Sequence, residues 1–224
     1  NAPLFRSFQP VTTGTRFFPR LSNVINNSTT IGERLPTYGR NMKFRLTVRD
    51  NRAGGGGICF DENQLTVDGN SGPFLVSFPS ASGIIWSVNE FRTITWDPAG
   101  TAGAPVNCAN VMIQLSTDGG NTFPITLLNS TPNDGAEEIQ VPANLTTNAR
   151  IRLMAVGNVF YDMSNSNFRI QNFPTATFVF NSPVPVLICS GNSASTTLKT
   201  GALGGFATSI NLTASLNPPG TTVS

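Results

Sequence analysis

The sequence predicts an all-β protein of immunoglobulin- or fibronectin III-like β-sandwiches, with one complete domain flanked by two partial ones. Three observations point there. Short runs with apolar residues at every second position recur along the chain, each closed by Gly, Pro, Asn or Asp. Gly 21 and Pro 16, with abundant Asn, Ser and Thr, specify many turns and few helices. An apolar share of 39% is enough to build cores, which excludes wholesale disorder.

Residues 1–72 read as the closing part of a β domain. The stretch FRSFQPVTTGTRFFPRLSNVINN is aromatic and irregular, chain that lies over a core. Met42–Asp50 alternates cleanly, with Met42, Phe44, Leu46 and Val48 on one face and Lys43, Arg45, Thr47 and Arg49 on the other. That is a half-buried strand. Asn63–Gly69 offers its partner, with Leu65 and Val67 inward. The glycine-rich NRAGGGGICFDE between them is expected to be a loop, which makes the pair a hairpin.

The segment GNSGP marks a boundary, and residues 73–172 carry a complete set of strands. These are expected at Phe74–Phe78, Ile84–Val88, Phe91–Asp97, Asn110–Ser116, Pro124–Asn129, Ala136–Val141, Ala149–Val156 and Asn167–Gln171. Seven or eight strands over ~100 residues is the spacing of a sandwich. Trp96 alternates with Ile94, so both point inward, whereas Trp86 follows Ile84 and Ile85 and is the tryptophan expected to be partly exposed. Residues 173–224 read as the start of a third β domain, with strands at Thr175–Phe180, at ASTTLKT and at ATSINLTASL. Opening on Asn and ending short of a full strand set, the chain is expected to be a piece of a longer protein.

Histidine is absent. No HExxH zinc helix, Ser–His–Asp triad or Cys–His dyad can therefore be built from this chain. The few acids form no persuasive catalytic pair. A net charge of +2 gives no basic field of the kind that grips nucleic acid. No apolar run reaches the ~20 residues of a membrane span. Cys59, Cys108 and Cys189 are widely spaced and form no CxxC, which argues against a zinc knuckle. Three is odd, so at least one thiol is free or pairs outside the chain. Cys59 fits a partner upstream of Asn1 better than Cys108. Sparse Lys and Glu with plentiful Thr and Asn suit an exported protein.

The most structured short stretch is Leu115–Pro124. Asp118 can accept hydrogen bonds from the turn that follows it, and Gly119 and Gly120 supply positive φ. Ser116 and Thr122 can bond the loop backbone, and Phe123 returns the chain to the apolar face. Val111, Ile113 and Leu115 before the turn face Ile125 and Leu127 after it. The spacing of Ser116, Asp118, Gly120, Thr122 and Phe123 resembles the Asp-box of sialidases and other propellers. A propeller repeats the motif at blade spacing, and here it occurs once. A self-satisfied structural hairpin is therefore expected.

Other candidates have a functional and a plain reading. Asp50, Asp61 and Glu62 flank the glycine loop, where carboxylates can bind Ca²⁺ or simply cap the loop. The DxDxDG pattern is missing. Asp162, with Ser164 and Asn165, reads as a turn cap or a second cation site. Trp86, Trp96, Tyr38 and Tyr161 would make a carbohydrate platform only if exposed in a row. The Asn-x-Ser/Thr triplets at Asn27, Asn129, Asn144 and Asn211 are expected by chance in so Asn- and Thr-rich a chain.

Residues 72–171 carry a wider resemblance in TITWDPAGT, APVNCANVMIQLSTDGGNTFPITL, TPNDGAEEIQVP and ARIRLMAVGNVFYDMSNSNFRI. They are similar to the fibronectin-like domains that follow the catalytic domain of reprolysin-like zinc metallopeptidases of Bacteroidetes-type bacteria, and to the KNH-type extracellular module. LPTYGRNMKFRLTVRDNRAGGGG resembles the closing half of a PKD- or cadherin-like domain, and the tail from Gly191 resembles the start of a later β domain. The resemblance implies a secreted or cell-surface peptidase parent, with Zn²⁺ held by three histidines and a glutamate as base. None of those positions exists here. The expectation is a non-catalytic accessory region for spacing, stabilisation or attachment. Its partners would be the parent catalytic domain and an extracellular protein or polysaccharide, and Ca²⁺ is the one cofactor considered for the chain itself. A carbohydrate-binding or adhesive module is the alternative.

Overall fold

Alternating apolar residues between Phe74 and Gln171 fold into two sheets packed face to face, seen in a computed structural model. It describes residues 4–7, 9, 15–50, 52–181, 186, 187, 189, 191, 192 and 194–211. The smaller sheet holds β3 (Leu75–Phe78), β5 (Phe91–Asp97) and β8 (Ala136–Gln140), in the order β3-β5-β8. The larger holds β4 (Ile85–Ser87), β6 (Asn110–Ser116), β7 (Ile125–Pro132), β9 (Thr146–Ala155) and β11 (Phe168–Gln171), in the order β4-β11-β9-β6-β7. β10 (Tyr161–Met163) adds to β9 beside β11. All these pairings are antiparallel except β4 with β11. The chain crosses from the smaller sheet to the larger between β3 and β4. This is the sandwich the sequence predicts.

The core follows from the period of two. Val111, Ile113 and Leu115 of β6, Ile151 and Leu153 of β9 and Ile94 of β5 are fully buried. Each such side chain contributes about 1.5–3 kcal/mol relative to exposure. Trp96 joins them, as expected from its alternation with Ile94. Trp86 corrects the reading: it is 1% exposed, packed on Phe168 with ring centroids 4.4 Å apart. Its three-residue strand turns Ile85 outward instead. β7 also departs from simple alternation. Its register slips against β6, so Ile113 faces Leu128, and Leu127 falls in the irregularity.

Before the sandwich, α1 (Leu21–Ile25) is a five-residue helix where only irregular chain was expected. β1 (Arg40–Arg49) and β2 (Ile58–Val67) then form a hairpin of ten residue pairs, from Arg40 with Val67 to Arg49 with Ile58. The expected loop therefore ends five residues earlier than read, before Ile58 and not after Glu62. Gly54 and Gly55, at φ +87° and +130°, turn the chain in little space. Ile58 and Phe60 then suit a strand. Only the base of the hairpin is half-buried, where Phe44 meets Phe18 (centroids 4.8 Å) and Phe5 (6.1 Å). Leu46 and Val48, expected inward, are 69% and 59% exposed.

After the sandwich, β12 (Thr177–Phe180) pairs with β13 (Thr200–Leu203). The strand expected at ASTTLKT is not formed; pairing begins only at its last residue, Thr200. Gly201 explains the placement: a Cβ there would lie 2.2 Å from the Asn89 carbonyl, so only glycine lets the ribbon close on the sandwich. Residues 207–211 carry no strand, and the remainder of ATSINLTASL lies outside the described residues. Among the described residues no helix is long and apolar enough to cross a membrane.

Candidate functional site

The turn between β6 and β7 is closed by a dense set of short-range polar bonds. The Ser116 hydroxyl donates to Asp118 Oδ1 at 2.6 Å and accepts the backbone N–H of Gly120 at 2.9 Å. Asp118 Oδ1 accepts the Thr122 N–H (2.9 Å), and Oδ2 accepts the Thr122 hydroxyl (2.7 Å). Thr122 thus bonds the carboxylate, not the loop backbone as its type suggested. Burial pushes the Asp118 carboxyl up, but the bonds from Ser116, Thr122 and the Asn121 backbone outweigh it and bring it down to about 2. Gly119 and Gly120 take φ +79° and +94°. A side chain at Gly120 would press on Arg150 and Met163 at 3.2 Å and on Ile25 at 3.5 Å, so the turn packs tightly against its surroundings. The carboxylate faces its own loop and is spent there.

Next to the turn, Arg150 of β9 gathers three chain segments. Its Nε donates to Asn167 Oδ1 (2.7 Å), and its Nη1 donates to the carbonyls of Ile25 (3.0 Å) and Ser164 (3.3 Å). Burial lowers its pKa from the usual guanidinium range. Asn27 adds a bond from Nδ2 to the Asn165 carbonyl (2.8 Å), so two contacts pin α1 to the sandwich. Arg152, two residues on, lies over the Phe123 ring at 4.1 Å and donates to Gln114 Oε1 at 2.7 Å. Phe123 therefore serves as a platform for a cation as well as returning the chain to the sheet.

Asp162 does not cap a turn with Ser164 and Asn165. It lies in β10, and its Oδ2 accepts the Val76 N–H at 2.7 Å, tying β10 to β3 of the opposite sheet. Ser164 and Asn165 bond elsewhere, to Ile151 and Ser80. Burial raises the Asp162 carboxyl, against the Val76 and Met163 N–H groups, which lower it. Beside it, burial pushes the Tyr161 hydroxyl up to about 12, and that hydroxyl is buried without a hydrogen-bond partner among the described residues.

Asp50, Asp61 and Glu62 are not brought together. Asp50 caps the hairpin loop, its Oδ1 accepting the Arg52 N–H at 3.1 Å, and that bond and one from Gly57 lower its pKa. Asp61 lies opposite Leu46, four pairs back from the loop, and Glu62 pairs with Arg45. Neighbouring strand residues point to opposite faces, so Asp61 and Glu62 cannot converge. Among the described residues no three acids or cysteines stand together as a metal-binding group. The four aromatics considered as a platform do not form one: Trp86 and Trp96 are in the core, Tyr161 is half-buried, and of the four only Tyr38 is exposed. Cys59 and Cys189 are exposed, Cys108 is buried, and all three are free thiols. Of the triplet asparagines, Asn27, Asn129 and Asn211 are exposed and Asn144 is half-buried.

Two polar centres have no signal in the sequence. Asn133 accepts the Trp96 indole N–H (2.9 Å) and donates to the Thr101 hydroxyl and the Cys108 carbonyl, both at 3.0 Å. Glu33 is almost fully buried, bound by Arg16 Nη2 at 2.6 Å and by the Arg20 N–H at 2.7 Å. Compared with known proteins, the chain matches no family model and no curated protein.

Proposed function

We propose that this chain is a non-catalytic accessory region of an exported bacterial zinc metallopeptidase, acting as a spacer that holds its neighbours in fixed register. One observation carries the reading: segments on both sides of the sandwich dock on it through side-chain to main-chain bonds. Arg150 holds Ile25, Asn27 holds Asn165, and Asn89 Nδ2 holds the Ala202 carbonyl at 2.9 Å. Bonds of this kind fix orientation, which a spacer needs and a free module on a flexible linker does not. The lack of histidine and the resemblance to reprolysin-associated domains support the same reading. The zinc chemistry would belong to the parent catalytic domain, and the chain would reside outside the cell or at its surface.

The test is direct. Purified chain supplied with zinc should leave casein and gelatin intact over hours. Reproducible cleavage that a chelator abolishes would overturn the proposal. Retention of the chain on an insoluble polysaccharide, lost when Tyr38 is changed to Ala, would favour the carbohydrate-binding alternative.

A further inference from the structure

Charge is distributed unevenly along the chain. Nine of its fourteen Lys and Arg, but two of its twelve Asp and Glu, fall within residues 1–52, giving that stretch +7 and the rest −5. Much of this positive charge lies on β1. Arg40, Lys43, Arg45 and Arg49 are exposed, and Lys43 and Arg49 have no ion-pair partner among the described residues. Among those residues β1 also pairs with β2 alone, so its outer edge presents free main-chain donors and acceptors. A groove of about 660 Å³ runs along Arg40–Leu46, with Leu4–Ser7 and Phe18 as its other wall.

The two faces of β1 differ. Lys43, Arg45, Thr47 and Arg49 line one, while Met42, Phe44, Leu46 and Val48 line the other, with Leu46 and Val48 largely exposed. We propose that this edge takes an extended acidic segment of a partner protein as a third strand, with acidic and apolar residues alternating. The carboxylates would lie beside Lys43 and Arg49 and the apolar side chains beside Phe44, Leu46 and Val48. Three features call for a polypeptide and not another anion: the open main-chain edge, the period of two, and the apolar strip. A polyanion without apolar groups would leave Leu46 and Val48 in water. A second copy adding β1 to β1 would set like charges against each other, which is unfavourable. The inference does not depend on a peptidase parent.

The test uses a fluorescein-labelled octapeptide of alternating Glu and Val. Its controls are the same residues arranged as a Glu block followed by a Val block, the alternating peptide N-methylated at every second residue, and a short single-stranded DNA. The alternating peptide is expected to bind the whole chain, with each control at least about tenfold weaker. The double variant Lys43→Glu, Arg49→Glu is expected to lose at least about tenfold, with an unchanged melting curve to show that it folds. The peptide comparisons stand on the wild-type chain alone. Equal binding of the block peptide or the DNA would reduce the effect to charge and overturn the proposal, as would no binding of the alternating peptide. Concentration-dependent self-association lost in the double variant would assign the edge to a second copy and equally overturn it.

Discussion

Arg150 Nη1 donates to the main-chain carbonyl of Ile25 across 3.0 Å, so a central strand of the larger sheet holds the last residue of a helix 125 positions earlier. The guanidinium is buried and also serves Asn167 and Ser164. Removing it leaves two carbonyls and a carboxamide without their donor. Arg150→Ala is expected to cost about 3 kcal/mol, lowering Tm by about 6–12 °C for a protein of this size. A thermal melt by circular dichroism checks this, and a change within about 1 °C would contradict it.

Asn133 is a second buried polar centre, joining Trp96 of β5 to Thr101 and Cys108. Asn133→Ala strands the Trp96 indole N–H in a buried site and frees Thr101 and the Cys108 carbonyl. The expected cost is about 2–4 kcal/mol. Urea unfolding followed by Trp fluorescence reads it, and an unchanged midpoint would show that the network contributes nothing.

Asp118 gives stability a definite dependence on pH. Its folded carboxyl lies at about 2, below the ordinary 3.8, so its contribution is fully present above the unfolded value and is lost as pH falls through the folded one. Solvent exposure makes the size modest. Asp118→Asn is expected to melt below wild type at pH 6, with the gap closing between pH 4 and pH 2. A gap that stays constant would mean that the carboxylate charge is not what holds the turn.

Asp162 has the opposite sign. Burial raises its folded pKa, so the folded state binds the proton more tightly, and stability falls as pH rises from the unfolded value through the folded one. An amide oxygen can still accept the Val76 N–H. Asp162→Asn is therefore expected to melt above wild type at pH 7, with the advantage vanishing in acid. A lower melting temperature at pH 7 would show that ionised Asp162 is needed for the link between sheets.

What was legible in the sequence were the strands whose side chains alternate. The bounds of β5 and β6 follow directly from the alternation around Ile94 and Ile113, because one face of each must be buried. The Asp118 turn was legible because its bonds are local, spanning at most four residues. Elements fixed by distant partners were not. α1 has five residues and no side-chain cap, and it stands on Arg150. β10 has three residues and is tied to Val76, 86 positions away. Trp86 sits in a run of three apolar residues, where a period of two cannot say which faces the core. Asn133 and Glu33 look like ordinary surface residues until the fold brings their partners to them. The exposed apolar face of β1 was misread for a related reason: alternation shows that one face is apolar, not that anything covers it.

Native-state hydrogen exchange tests the spacer account most directly, because it asks whether the flanking segments and the sandwich open together. The account predicts that the Asn26 N–H, bonded to Ser22, and the β13 amides share the slow exchange of β6 and β9, and that Arg150→Ala speeds exchange at Asn26 more than at β6. Exchange of α1 and β13 at the rates of free peptides in the wild-type chain, with only the sandwich protected, would contradict it.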